Sequence, residues 1–114
     1  QYPDLKLIAS HGGATLPYLV GRFEKGDDVE LPQRRKMQQK PTDYLRHIYY
    51  DCITYDQAAL DYLISVVGAE QVMFGTDWPH QVFDTQGAFN HTQALQAGTC
   101  RAIRSGNAQR VFEL

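Results

Sequence analysis

Apolar residues recur along this chain in two periods. Short runs over residues 5–9, 48–53 and 71–75 alternate and then run apolar, as strands buried in a sheet do. After the first run, Leu16, Leu19, Val20 and Phe23 fall on one helical face, with Thr15 as cap, Pro17 in the first turn and Gly26 as stop. After the second, Ala59, Leu60, Leu63, Ile64 and Val67 do the same, capped by Thr54 or Asp56 and ended by Gly68. Residues 27–41 are polar and hold Pro32 and Pro41, which predicts a long surface excursion ahead of a short helix near 42–46. Beyond the third run the pattern predicts a helix around 92–103 and a short one over 107–113, with Gly106 between them.

Strands alternating with helices predict an α/β unit of parallel strands joined by right-handed crossovers. Residues 1–114 read as a single partial domain, because the chain starts at Gln1 directly ahead of an apolar strand. That beginning points to a fragment, a processed form or an expression boundary. No internal repeat or low-complexity tract stands out.

Two of the strands stop abruptly at chemistry-bearing residues. The first runs into His11-Gly12-Gly13, the third into Thr76-Asp77-Trp78-Pro79. Two glycines after His11 remove side-chain bulk, so backbone N–H groups can approach a substrate. A neutral imidazole at that point can move a proton. A carboxylate held where the chain leaves the sheet can act as a base or ligate a divalent cation. The bland alternatives are a histidine bonded to loop backbone and an aspartate that forms a turn or caps a helix.

The two residues taken together favour a shared site. Parallel strands lie about 4.8 Å apart, so strands two apart stand roughly 10 Å apart, a gap that inward side chains close. In a parallel barrel the carboxyl ends of the strands form the catalytic mouth. Arg22 shares a helix edge with Thr15 and Tyr18, and its guanidinium suits a carboxylate. Asp51, near the end of the middle strand, supports the site or caps the strand. Trp78 and His80 line a pocket or pack beneath their loop. His47 and His91 lack strand-end placement and receive no role.

Composition narrows the partners. The formal net charge is −2, which gives no general attraction to nucleic acid or an anionic membrane. The basic stretch over residues 33–40 carries four positive charges without aromatic interleaving and reads as a solvated loop. No apolar run is long enough to span a bilayer, and no segment is built like a signal peptide. Cys52 and Cys100 belong to no C-x-x-C pair, which gives no support for a thiolate zinc site; they allow one disulfide, but two free buried thiols in a reducing cytoplasm are expected.

The chain resembles the amidohydrolase-related decarboxylase family, in the branch of aminocarboxymuconate-semialdehyde decarboxylase. The words that carry the resemblance are His11-Gly-Gly-Ala-Thr-Leu-Pro-Tyr-Leu-Val-Gly-Arg22-Phe, Ile48-Tyr-Tyr-Asp-Cys, Val66-Val-Gly-Ala-Glu-Gln-Val-Met-Phe-Gly-Thr-Asp77-Trp-Pro and Ser105-Gly-Asn-Ala-Gln-Arg-Val-Phe. The resemblance implies a metal-dependent TIM barrel that decarboxylates, or hydrolyses, a small carboxylated ring or ring-cleavage product. It implies that Asp77 is the metal-ligating aspartate of the last barrel strand and that His11 is the catalytic histidine of the sixth. It also implies that Arg22 binds a substrate carboxylate, in some members across the interface of a homodimer, with Trp78 beside the substrate. Zinc is the expected ion and manganese the alternative.

The family's His-x-His pair of the first strand and histidine of the fifth are missing here. The chain therefore resembles the C-terminal three βα units of a (β/α)8 barrel that typically needs about 250 residues. Two other readings follow from the same residues. One is a metal-free hydrolase of lactonase type using His11 and Asp77 as acid and base. The other is an inactive barrel segment that self-associates through two open sheet edges and an apolar face.

Overall fold

The computed structural model of the chain describes residues 4–29 and 38–114. Most of the expected basic loop over 33–40 therefore lies outside the described residues. Three strands form one parallel sheet: β1 (Ile8–Ala9), β2 (Tyr49–Asp51) and β3 (Val72–Met73), in the order β1-β2-β3. The register pairs Ala9 with Tyr50, and Tyr50 with Val72. All three are shorter than their apolar runs, but Tyr49 N–H still bonds Leu7 O, and Cys52 N–H bonds Met73 O, each at 2.9 Å.

The core lies over the central strand. Helix α3 (Gln57–Val67) lays Leu60, Leu63 and Val67 against Tyr50, Cys52 and Val72. Asp56 caps it by accepting the Ala59 N–H at 2.8 Å, and Gly68 ends it with φ 93°, a conformation that favours glycine. Tyr50 is fully buried. Its hydroxyl donates to Leu45 O at 2.9 Å, and burial pushes its pKa up to about 12, so the phenol stays neutral.

Helix α1 departs from its expected bounds. It spans Val20–Asp27, beginning after Thr15 and Pro17 and running through Gly26. The left-handed Ala14 (φ 50°) turns the chain, and residues 15–19 are spent in turns before a regular helix starts. Helix α2 (Pro41–Leu45) packs beside α1, joined where Glu24 accepts both the backbone N–H and the hydroxyl of Thr42.

The C-terminal third departs further. Helix α4 (Thr85–Gln93) already contains Thr92, which apolar patterning assigns to the start of the next helix. Thr92 is buried, donates to Ala88 O at 2.8 Å and accepts from Arg104 Nε at 2.9 Å, so it belongs to a polar junction. Helix α5 (Ala97–Arg101) then continues through a wide π turn (Ala102–Gly106) into α6 (Asn107–Phe112), and Gly106 separates nothing. The Ile103 carbonyl, within the wide turn, accepts the Phe74 N–H at 2.9 Å. Asn107 Nδ2 gives its protons to Ala69 O (2.8 Å) and Val72 O (2.6 Å).

The outer edge of β3 is thus occupied by a helix, which corrects the expectation of two open sheet edges. Leu5 and Leu7 ahead of β1, and Ile8 within it, stand exposed, which corrects the expectation of a buried first strand: among the described residues β1 is the open edge of the sheet, and only its Ala9 packs against the core. Cys52 and Cys100 are free and buried, and form no disulfide with each other. Among the described residues no helix is long and apolar enough to cross a membrane.

Candidate active site

The chain leaves β1 into a left-handed turn. His11, Gly12 and Gly13 have φ of 56°, 58° and 77°. Glycine accepts this conformation freely, and histidine is among the side chains that tolerate it best. Both glycines are also required by packing. A Cβ on Gly13 would stand 2.6 Å from the Tyr50 ring, and one on Gly12 would stand 2.9 Å from Thr54 Cγ2. Their N–H groups do not open toward a ligand as sequence reasoning expected. Both glycines are buried, with Gly12 N–H bonded to Asp51 Oδ1 at 2.9 Å and Gly13 N–H to Ser10 O at 3.1 Å.

Asp51 is accordingly the fastening of this turn. One oxygen accepts the His11 N–H at 2.9 Å, and the other accepts from Gly12 and from Ile53 (3.0 Å). A carboxylate at the end of β2 thereby fixes where the imidazole at the end of β1 points.

That imidazole meets the carboxylate of Asp77. His11 Nε2 lies 3.3 Å from Asp77 Oδ1, bridging chain positions 66 residues apart. Asp77 follows β3, where Gly75 keeps the backbone close: a Cβ there would sit 3.0 Å from Ile53 Cδ1. Asp77 itself is left-handed (φ 64°), with its side chain only 11% exposed against 61% for His11. Desolvation pushes the Asp77 carboxyl up. Hydrogen bonds from His11 and Tyr55, and the nearby rings of His11 and His80, outweigh it and leave the carboxyl below its ordinary value.

The second oxygen of Asp77 is held by a residue that sequence reasoning passed over. Tyr55 donates its hydroxyl to Oδ2 at 3.1 Å. Burial and then the neighbouring Asp77 raise the pKa of this phenol, which keeps it a donor. The signal was available, since Tyr55 stands two residues beyond the apolar run 48–53, as His11 and Asp77 stand two beyond the runs 5–9 and 71–75.

The other expected site residues stand apart from this cluster. Trp78 is 72% exposed, with its backbone N–H bonded to Thr76 Oγ1. Arg22 lies on the exposed side of α1 and forms no ion pair among the described residues. His80 is exposed near Asp77, while His47 and His91 take no part.

Among the described residues no three His, Cys, Asp or Glu side chains gather to hold a metal ion. Catalytic metal sites use three protein ligands or more, and here the described residues bring together one partly desolvated carboxylate and one imidazole. Asp77 has the chemistry of a single carboxylate ligand to such a site.

The amidohydrolase family model matches residues 1–114. The chain belongs to the amidohydrolase family. It is 31% identical to the gamma-resorcylate decarboxylase of Rhizobium sp. (strain MTP-10005) over 119 residues, covering 100% of this chain and 36% of that protein. It is also 31% identical over 80 residues to the 2-amino-3-carboxymuconate-6-semialdehyde decarboxylase of Dictyostelium discoideum, covering 69% of this chain and 22% of that one. Its backbone superposes with a TM-score of 0.82 on the crystal structure of a dihydroxybenzoic acid decarboxylase from Polaromonas sp. JS666, solved with bound manganese and the inhibitor 2-nitroresorcinol. The two share 27% identity, over 99% of this chain and 35% of the Polaromonas chain. The chain therefore spans about a third of the length of the Rhizobium and Polaromonas relatives.

Proposed function

We propose that this chain forms the last three βα units of a (β/α)8 barrel whose whole is a metal-dependent decarboxylase of a small carboxylated aromatic or ring-cleavage product. The observation that carries this reading is the meeting of His11 Nε2 and Asp77 Oδ1 at 3.3 Å, from strands flanking β2 and at the same end of the sheet. The named relatives are decarboxylases, which favours loss of CO2 over hydrolysis.

In this reading Asp77 ligates a divalent cation, which when bound would polarise substrate oxygens as a Lewis acid. Manganese, present in the Polaromonas structure, is the first ion to test. Zinc, expected from the resemblance, is the second. His11 serves the carbon that loses CO2. The carbon–carboxylate bond breaks, its electron pair stays on that carbon, and a proton from the imidazolium takes the vacated position. The ring of His11 is exposed enough to regain that proton from solvent. Arg22 and Trp78 are proposed to bind the substrate's carboxylate and ring face respectively, Arg22 within a homodimer. A cytoplasmic setting agrees with the two free thiols.

The test is Asp77→Ala in the full-length enzyme, with metal content and CO2 release measured on γ-resorcylate-like dihydroxybenzoates and on carboxymuconate semialdehydes. Loss of bound metal together with turnover is expected. Full metal occupancy with retained turnover overturns the assignment.

A further inference from the structure

Five non-glycine residues among those described adopt left-handed backbone: His11, Ala14, Tyr55, Asp77 and Glu113. Such conformations are costly for L residues and persist where the surroundings force them, most often at functional sites. Three of the five, His11, Tyr55 and Asp77, are the members of one hydrogen-bonded chain of side chains. They come from three different strand ends, so no single loop explains the coincidence.

Tyr55 is the member without a role so far. Its flanks over-determine its backbone. Ile53 N–H bonds Asp51, Thr54 Oγ1 donates to Asp56 O at 3.0 Å, and Asp56 caps α3. Held between them at φ 56°, Tyr55 remains 45% exposed and contributes nothing to the apolar core. Core packing therefore gives no reason for an aromatic residue here. Its hydroxyl bond to Asp77 Oδ2 does.

We propose that Tyr55 is a positioning residue for Asp77. By occupying Oδ2 it fixes the plane of the carboxylate and leaves Oδ1, the oxygen facing His11, as the one presented for metal and proton chemistry. This rests on the reading of Asp77 as a metal ligand. It adds that an exposed phenol on the middle strand's loop, rather than a buried carbonyl or a second acid, sets that ligand's orientation. Outer partners of metal ligands typically contribute 10–100-fold in metal affinity or activity.

The experiment titrates Mn2+ into metal-free full-length enzyme and follows free ion by electron paramagnetic resonance. Wild type is compared with Tyr55→Phe, which deletes only the hydroxyl, and with Tyr55→Gly, which also relieves the left-handed backbone. Both variants are expected to bind Mn2+ about tenfold more weakly. The thermal midpoint of metal-free Tyr55→Phe should match wild type, so weaker binding cannot be ascribed to unfolding. Mn2+ affinity unchanged in Tyr55→Phe, with or without a change in KM, overturns the positioning role alone. Absence of Mn2+ and Zn2+ binding in wild type overturns the metal reading and this role with it.

Discussion

Asp51 controls His11 through its backbone, not through its ring. The carboxylate at the end of β2 accepts the His11 N–H at 2.9 Å and clamps the turn that aims the imidazole at Asp77. Aim at one strand end is thus set by the neighbouring strand.

Asp51→Ala removes the acceptor of three N–H groups, those of His11, Gly12 and Ile53. The Gly12 group is buried, so a loss of about 2–3 kcal/mol is expected in denaturant melts. Turnover should fall further than folding accounts for, because the imidazole loses its bearing. Asp51→Asn keeps one acceptor oxygen and should lose less on both counts. An alanine variant with wild-type melting and turnover would contradict the clamp.

Asn107 should be irreplaceable by its own acid. Only 4% exposed, it donates both amide protons to carbonyls beside β3. Asn107→Ala strands two carbonyls and is expected to cost on the order of 2 kcal/mol in a thermal or chemical melt. Asn107→Asp should cost at least as much, since a carboxylate facing two carbonyl oxygens cannot donate. Wild-type stability in the aspartate variant would show that the β3 edge does not depend on this cap.

Acid should loosen the junction of α1 and α2 early. Hydrogen bonds from Thr42, side chain first and backbone second, hold the Glu24 carboxyl below its ordinary value of 4.5. The folded-state value is the lower one, so this stabilisation is complete above the unfolded value and is lost as pH falls through the folded one. Amide exchange at Thr42 should therefore quicken between roughly pH 5 and pH 3 relative to the α3 core. Glu24→Gln should remove that pH dependence. Exchange at Thr42 that tracks the core throughout would contradict the junction's dependence on charge.

Much of the local structure was written in the side-chain periods. The three apolar runs are the three strands, and the spacing of Leu60, Leu63 and Val67 is the buried face of α3. Hydrophobic periodicity reports which side of an element faces a core, and β2, β3 and α3 do face one, whereas the apolar run leading into β1 stays exposed. His11 and Asp77 were legible for a related reason, since a polar group that interrupts an apolar run marks where a strand leaves the sheet.

What the chain could not reveal alone were the relations between elements. The late start of α1 follows from the left-handed turn at Ala14, and the π turn from a carbonyl needed at the edge of β3. Neither leaves a mark in local composition. The buried roles of Gly12 and Gly13 depend on Tyr50 and Thr54, far off in sequence. Sequence alone thus determined which residues stand at the strand ends. Tertiary structure decided which of them meet, because hydrogen bonds act over about 3 Å and only the folded sheet brings His11, Tyr55 and Asp77 within that reach.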